Sequence, residues 1–411
     1  MQKQNIKKYW LRLFPETFLW SKNGQSLIYN AKDKISFKFK NTEFINQITD
    51  QLQNLVNLYC IELSEDELKE SQVNQLITQI EETSSGEIIE VATGHPKPIT
   101  LVPFLNIQSD VERIRKDNPM AVGDHILNYL HSVTFVLNGN ISTLNPDWDY
   151  QTKAQEKMLS PAKIITFLNN IENSTVGKVN IISEKIGDYP DFDLLINKLD
   201  QIHLKKYFHI PWESFNDNLL LLKLIQTNQY FLNVSVKGLF IPDKIKTIAM
   251  AVEGNKKQVL WQFAITSKPE YEQATTIIEE LDLENAEIKP VYTGHNLPFF
   301  EDYIFLTEED LQHPGLNRRE IFAHQALNTN DFGKLVVMPD GKIYANLHNK
   351  PLGTIDDDIR KLVYKEMDQG ASWRRIRNMK PCSDCLYQWL CPSPSNYERA
   401  IGKPNLCHVE P

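Results

Sequence analysis

The sequence has no long apolar run and very little cysteine, and each absence removes a class of protein. The N-terminus carries lysines, but Arg12, Pro15 and Glu16 interrupt the apolar residues behind them. Neither a secretory signal nor a membrane-spanning segment is therefore predicted, and we expect a cytoplasmic protein. There are five cysteines in 411 residues, and the reducing conditions of the cytoplasm disfavour disulfides between them.

The chain also lacks an excess of positive charge. Its 44 lysine and arginine residues face 53 aspartate and glutamate residues, for a net charge of −9, which disfavours nucleic acid as a partner. We find no glycine-rich phosphate loop and no Ser/His/Asp constellation. His203 and His209 lie near one predicted strand, but isolated histidines are more often structural than catalytic. The sequence thus assigns no catalytic residue.

The cysteines are concentrated at one end of the chain. Four of them lie within the last thirty residues, at Cys382, Cys385, Cys391 and Cys407. Two thiolates separated by two residues reach one metal from a tight turn, and two later thiolates complete a zinc tetrahedron or bind the corners of an iron–sulfur cube. Two disulfides or four unrelated buried thiols are the alternatives. Cys60 stands alone and is interpreted as a small buried apolar residue.

The first 97 residues are typical of a small, winged-helix-like α+β domain. Asn23-Gly24 between two apolar segments predicts a tight hairpin. Lys34–Lys40 alternates apolar and polar residues and predicts a third strand. Thr42 begins a predicted helix, and Ser64 begins a capping box that precedes a further helix ending near Gly86.

Strands and helices alternate through the middle of the chain. Such alternation predicts parallel βα units, as in a full or partial barrel, and so an α/β fold class. We predict strands at residues 133–137, 179–182, 206–210, 231–236, 259–265 and 288–292, and helices at 161–171, 191–202, 219–226 and 270–281.

The C-terminal region resembles a known domain. Val337–Tyr344 reads Val-Met-Pro-Asp-Gly-Lys-Ile-Tyr, Pro351–Ile355 follows it, and a Cys-x2-Cys-x5-Cys run comes next. This combination resembles the SPASM domain of radical SAM peptide-maturing enzymes. The resemblance implies three domains: a peptide-recognition domain (1–97), a radical-SAM-type partial (β/α) barrel (98–325) and a SPASM-like iron–sulfur domain (326–411). It also implies one [4Fe–4S] cluster on the four cysteines, with zinc as the alternative.

The chain departs from that family at several ligand positions. SPASM domains commonly bind a second cluster through cysteines at the positions of Asn346 and Ser395, so that cluster is not expected. Radical SAM enzymes carry Cys-x3-Cys-x2-Cys after the first barrel strand, whereas residues 138–149 contain no cysteine. We therefore expect no SAM binding. With Cys391–Glu398 reading Cys-Pro-Ser-Pro-Ser-Asn-Tyr-Glu, the chain resembles pseudo-radical-SAM proteins of peptide natural-product pathways.

The N-terminal domain resembles the PqqD-like leader-recognition element of the same pathways. The resemblance implies that a leader peptide adds as a strand to the edge of the third strand and packs on the last helix. The residues expected to bind it are Lys34, Ser36, Lys38, Lys40, Leu76 and Ile80.

These observations predict an accessory protein without radical SAM catalysis. It would bind a ribosomal precursor peptide and assist a partner maturase. Two alternatives remain open: a redox-active iron–sulfur enzyme that modifies the peptide without SAM, and a zinc-stabilised scaffold.

Overall fold

The structure is a computed structural model. It describes residues 7–92, 96–103, 116, 125–138, 157–171, 174–183, 186, 189–216, 230–253 and 259–410. No helix among these residues is both long and apolar enough to cross a membrane.

A three-stranded antiparallel sheet forms the first half of the N-terminal region. Its strands are β2 (Thr17–Lys22), β3 (Gln25–Asn30) and β4 (Ile35–Lys40), in that order. Asn23 and Gly24 make the turn between the first two with φ of 50° and 73°, the left-handed backbone that a two-residue hairpin turn requires. The predicted hairpin and third strand are confirmed, except that Lys34 lies in the preceding turn with φ of 60°.

A second sheet in this region was not predicted. It consists of β1 (Lys8–Leu13), β5 (Cys60–Ser64) and β6 (Gly86–Glu90), paired antiparallel in the order β5-β1-β6. The helix expected to end near Gly86 ends earlier, because Gly86 begins β6. The helices of this region are α1 (Glu43–Gln53), α2 (Glu65–Lys69) and α3 (Ser71–Glu82).

Both faces of the β2–β3–β4 sheet are covered. Leu19 and Ile28 face a core shared with α1, α3 and the second sheet. The opposite face packs against the C-terminal region, in a cluster that includes Phe18, Leu27, Tyr29, Leu311, Ile321, Leu386 and Leu390. The sheet therefore lies between the N-terminal helices and the cysteine-containing region.

Among the described residues, a sheet of nine mostly parallel strands forms the centre of the protein, in the order β12-β11-β10-β9-β8-β7-β13-β14-β15. Its consecutive parallel strands are β7 (Ser132–Val136), β8 (Lys178–Ile182), β9 (Lys205–Pro211), β10 (Tyr230–Val236), β11 (Val259–Ile265) and β12 (Ala286–Pro290). Helices between and after them are α4 (Pro161–Ile171), α5 (Phe192–Leu199), α6 (Pro242–Glu253), α7 (Lys268–Glu280), α8 (Leu297–Tyr303), α9 (Glu308–Gln312) and α10 (Arg318–Ala326).

This centre confirms the predicted alternation and the α/β class. The predicted strands reappear within about two residues of their expected ends, the usual uncertainty of such boundaries. The predicted helix at 219–226 lies outside the described residues. Helix α6 was not predicted.

The C-terminal region continues the same sheet. Strand β13 (Lys334–Val337) pairs parallel with β7, and β14 (Lys342–Tyr344) and β15 (Gly353–Thr354) extend the sheet antiparallel. The predicted Pro-Asp-Gly turn joins β13 to β14, with φ of 82° at Gly341. Helices α11 (Ile359–Gln369) and α12 (Asn396–Ile401) complete the region. The domain boundaries at 97 and 325 stay predictions.

Candidate metal and peptide sites

The four C-terminal cysteines line one small cavity, together with Arg377. A 3-10 turn over Cys382–Asp384 directs the first two thiols, and the Cys385 amide donates to the Cys382 carbonyl at 3.1 Å. The Cys391 amide closes the next turn on the Tyr387 carbonyl at 2.9 Å. Cys407 joins them through a parallel bridge to Leu306. The structure thus brings together all four residues that the spacing singled out.

The size of this cysteine cavity and its four thiols determine which metal group it could bind. Its volume is about 20 Å³. Within the described ranges, no three or more His, Cys, Asp or Glu side chains are arranged to hold a single metal ion. Four thiols around one space are nonetheless a donor set for zinc or for an iron–sulfur cluster.

Burial sets the protonation of these thiols. It raises the pKa of Cys391 to about 12 and also raises that of Cys385. A metal must displace these protons to bind the thiolates. Its affinity would therefore decrease as the pH is lowered. Arg377 supplies positive charge, with Nη1 3.7 Å from Cys382 Sγ. Cys60, by contrast, is fully buried within β5, as interpreted from the sequence.

Arg377 is itself held by several acceptors. It donates through Nη2 to Glu398 Oε1 at 2.7 Å and through Nε to the Pro392 carbonyl at 2.5 Å. The side chains of this ion pair are 7% and 5% exposed. Glu398 also closes a capping box with Ser395 at the start of α12. The pair therefore ties the segment before the first cysteine to the segment after the third.

The tip of the N-terminal hairpin contacts the cysteine loop. Lys22 Nζ donates to the Ser383 carbonyl and to Gln388 Oε1, both at 2.6 Å. Asn23 Nδ2 donates to the Asp384 carbonyl at 3.3 Å. The loop between Cys382 and Cys385 is thus braced by the sheet that carries β4.

Strand β4 is the edge strand of its sheet, since β3 is its paired neighbour in the described part of the chain. The Asn41 amide donates to the Gly24 carbonyl at 2.9 Å, which fixes which pairs of the ladder are hydrogen-bonded. Because these pairs alternate, Phe37 points its amide toward β3, whereas Ser36, Lys38 and Lys40 point theirs outward. No acceptor among the described residues bonds those three amides.

The six residues expected to bind peptide occupy different environments. Lys34, Lys38 and Lys40 are exposed and Ser36 is half-buried. Lys38 forms an ion pair with Glu308, and Ser36 Oγ donates to the Gln312 carbonyl at 2.8 Å. Leu76 and Ile80 are 3% and 0% exposed, on the face of α3 that packs into the N-terminal hydrophobic core. Their assignment to peptide binding stays a prediction. In this conformation both side chains pack in the core and hold α3 against the two N-terminal sheets.

A larger cavity, which sequence reasoning missed, lies against one face of the central sheet. Its volume is about 440 Å³, and β7 to β13 all contribute to its lining. Polar residues within apolar strands were the available signal, as in Ser132-Val-Thr134 and Lys178-Val-Asn180. We refer to it as the sheet cavity.

A row of neutral polar groups crosses this cavity. Asn180 Nδ2 donates to Thr134 Oγ1 at 3.2 Å, and Asn180 Oδ1 lies 3.1 Å from His209 Nε2. Asn233 Nδ2 lies 3.4 Å from the same ring. Burial lowers the pKa of His209 to about 3, so the ring stays neutral. His209 is therefore a buried hydrogen-bonding residue.

Asn346 and Ser395 also line the sheet cavity. These are the two positions where the resemblance would place ligands of a second cluster. Asn346 Nδ2 donates to Asp331 at 2.9 Å and to Asn396 Oδ1 at 2.8 Å. Asn346 is thus part of a buried amide–carboxylate network.

No protein-family model and no curated protein sequence matches the chain. Among solved structures, SuiB of Streptococcus suis bound to its precursor peptide SuiA has a TM-score of 0.52 at 12% identity, covering 97% of this chain and 99% of that chain. SuiB bound to S-adenosylmethionine has a TM-score of 0.49 at 11% identity, covering 97% and 99%. The first likeness shows the fold: along nearly its whole length, this chain is similar in fold to SuiB.

Proposed function

We propose that this protein binds a ribosomal precursor peptide and assists its modification by a partner maturase. The observation that carries the proposal is the edge of β4. There the outward amides of Ser36, Lys38 and Lys40 have no hydrogen-bond acceptor among the described residues. An extended leader would add there as a fourth strand, with backbone hydrogen bonds providing affinity. The fold of SuiB, which was crystallised with its precursor peptide SuiA, supports a peptide ligand.

The environment of that edge supports selective pairing. Lysines on an exposed strand oppose non-specific association with other strands. Phe37 and Phe39 pack on the core side, while Lys38 and Ser36 reach α9 on the other side. A leader strand would therefore meet apolar surface on one face and polar groups of α9 on the other.

For the cofactor, we propose one [4Fe–4S] cluster on Cys382, Cys385, Cys391 and Cys407. A cube binds each thiolate to a different iron, so its ligands lie farther apart than those of one zinc ion. The four thiols surround a common cavity, and both zinc and a cube accept four thiolates. The resemblance of the C-terminal region to SPASM domains favours the cube, and zinc remains the alternative.

We expect β4 to be tested most directly by proline substitution. Lys38→Pro removes an outward amide, so it should weaken leader binding at least tenfold while the fold is retained. Phe37→Pro removes a ladder hydrogen bond to β3 and a core aromatic ring, so it should damage folding itself. The ligand would be a synthetic leader of any short precursor peptide that is encoded beside this gene, and calorimetry on the full-length protein would measure its binding.

Lys38→Gln is the matched control. It loses the ion pair with Glu308 but keeps the amide, so it should bind the leader within about threefold of wild type, as exposed ion pairs contribute little. Equal binding by the Lys38→Pro and wild-type proteins would remove β4 as the site.

We expect no reductive cleavage of SAM. Residues 138–149 contain no cysteine, and a cluster that binds SAM would have no thiolate ligands there; residues 139–156 lie outside the described residues. Reduced protein incubated with SAM should release no 5′-deoxyadenosine by chromatography, in an assay where an intact radical SAM enzyme does. Release by protein free of any maturase would contradict the accessory role.

A further inference from the structure

The sheet cavity has a distinct electrostatic edge. Lys334 of β13, Ser132 of β7 and Lys178 of β8 are register partners across three adjacent strands. Register partners on parallel strands project to the same face, and two strand spacings place the lysine backbones roughly 10 Å apart. All three residues line the cavity. Two cations therefore border it at the beginning of the strands.

The carboxylates around the cavity have other partners. Glu287 lies 3.7 Å from Lys289 Nζ, and Asp331 accepts from Asn346 at 2.9 Å. Within the described ranges, neither Lys178 nor Lys334 forms an ion pair. Lys178 Nζ instead lies 4.3 Å from the centre of the Tyr207 ring.

Burial and the neighbouring charges of Lys334 and Lys289 lower the pKa of Lys178. Glu287, which also lines the cavity, offsets part of this positive charge, and an anion placed between the two lysines would offset more of it. Carboxylates are the common partner of ammonium groups through charge-assisted hydrogen bonds.

The rest of the lining suits a peptide. Its amides, on Asn180, Asn233, Gln262 and Asn346, both donate and accept hydrogen bonds, as a peptide backbone requires. A volume of about 440 Å³ lies within the range of known ligand sites and holds a few residues.

We propose that the sheet cavity binds an acidic segment of the precursor peptide, with Lys178 and Lys334 holding a side-chain carboxylate. This inference rests on the proposed function, but it concerns a site separate from β4. It assigns the leader to the edge of β4 and an acidic part of the remaining peptide to the sheet cavity.

The test uses full-length protein and a leaderless probe. The probe is an amidated glycine–serine octapeptide with two central glutamates and a dansyl label, compared with its glutamine counterpart by fluorescence anisotropy. The glutamate peptide should bind about tenfold tighter, and Lys178→Gln or Lys334→Gln should each remove most of that difference. Added salt should reduce it as well.

Lys205→Gln is the matched control. Lys205 is the register partner of Lys178 on β9 but is exposed and does not line the cavity, so its loss should leave binding unchanged. Lys178→Arg should retain binding, which separates the charge from any effect on folding. Lys38→Pro should not alter this binding, and Lys178→Gln should not alter leader binding, so failures of the two sites are distinguishable.

Equal binding of the glutamate and glutamine peptides would overturn the proposal. So would unchanged selectivity in both lysine variants. Inorganic phosphate is the competing anion: if it displaces the probe at concentrations where acetate does not, the site belongs to a phosphate-bearing ligand and the peptide assignment is wrong.

Discussion

Replacement of Cys385 by serine should release the metal and loosen the C-terminal segment from Pro381 onward. The four thiols line one cavity, and small cysteine-ligated segments depend on their metal for folding energy. We expect anaerobically prepared wild-type protein to contain iron and sulfide, and the variant to retain little of either. Its melting temperature should fall by roughly 10 °C or more. Metal analysis and calorimetry measure both effects.

Cys60→Ser is the control for thiol loss alone, because Cys60 is buried in β5 and does not line the cysteine cavity. It should retain the full metal content. Anaerobic wild-type protein with one tight zinc and no iron would exclude the cluster. Full metal retention in Cys385→Ser would show that the four cysteines do not form one site.

Replacement of Arg377 by methionine should be strongly destabilising. The change leaves the Glu398 carboxylate, whose side chain is 5% exposed, without its cation, and the Pro392 carbonyl without its donor. Breaking a buried ion pair from one side costs about 3–5 kcal/mol. Denaturant titration would measure the loss, and metal content should fall with it, since Arg377 lines the cysteine cavity.

A double variant separates the charge from the packing. Adding Glu398→Gln to Arg377→Met removes the unpaired carboxylate while the amide oxygen still caps α12. The double variant should regain about 1–3 kcal/mol over the single one. No recovery would show that Arg377 acts through packing and its bond to Pro392 rather than through the ion pair.

Local signals in the sequence predicted local structure well. Asn23-Gly24 specifies its turn through two residues that tolerate left-handed backbone, and the capping box at Ser64 forms as expected. The strands of the parallel sheet were found because each is a short apolar segment between helices. The spacing of the four C-terminal cysteines predicted that they lie together, and they line one cavity; their role as metal ligands stays a prediction.

The pairing of strands that are distant in sequence could not be predicted from local signals. Strand β1 pairs with residues 60–64 and 86–90, and nothing in Lys8–Leu13 specifies partners so distant in sequence. The sheet cavity escaped detection for a related reason. Each polar residue, such as Asn180 or Gln262, is unremarkable in its own strand, and the site exists only when β7 to β13 lie side by side in one sheet.

The position of the β2–β3–β4 sheet between two cores has a consequence for synthesis. The sheet is complete in sequence at residue 40, yet one of its faces is covered by Leu386, Leu390 and their neighbours. At typical translation rates those residues follow roughly 20–70 s later. During that interval the native cover of Phe18, Leu27 and Tyr29 is incomplete, even after Leu311 and Ile321 have been synthesised, so the nascent chain presents an apolar surface to chaperones until its last segment leaves the ribosome.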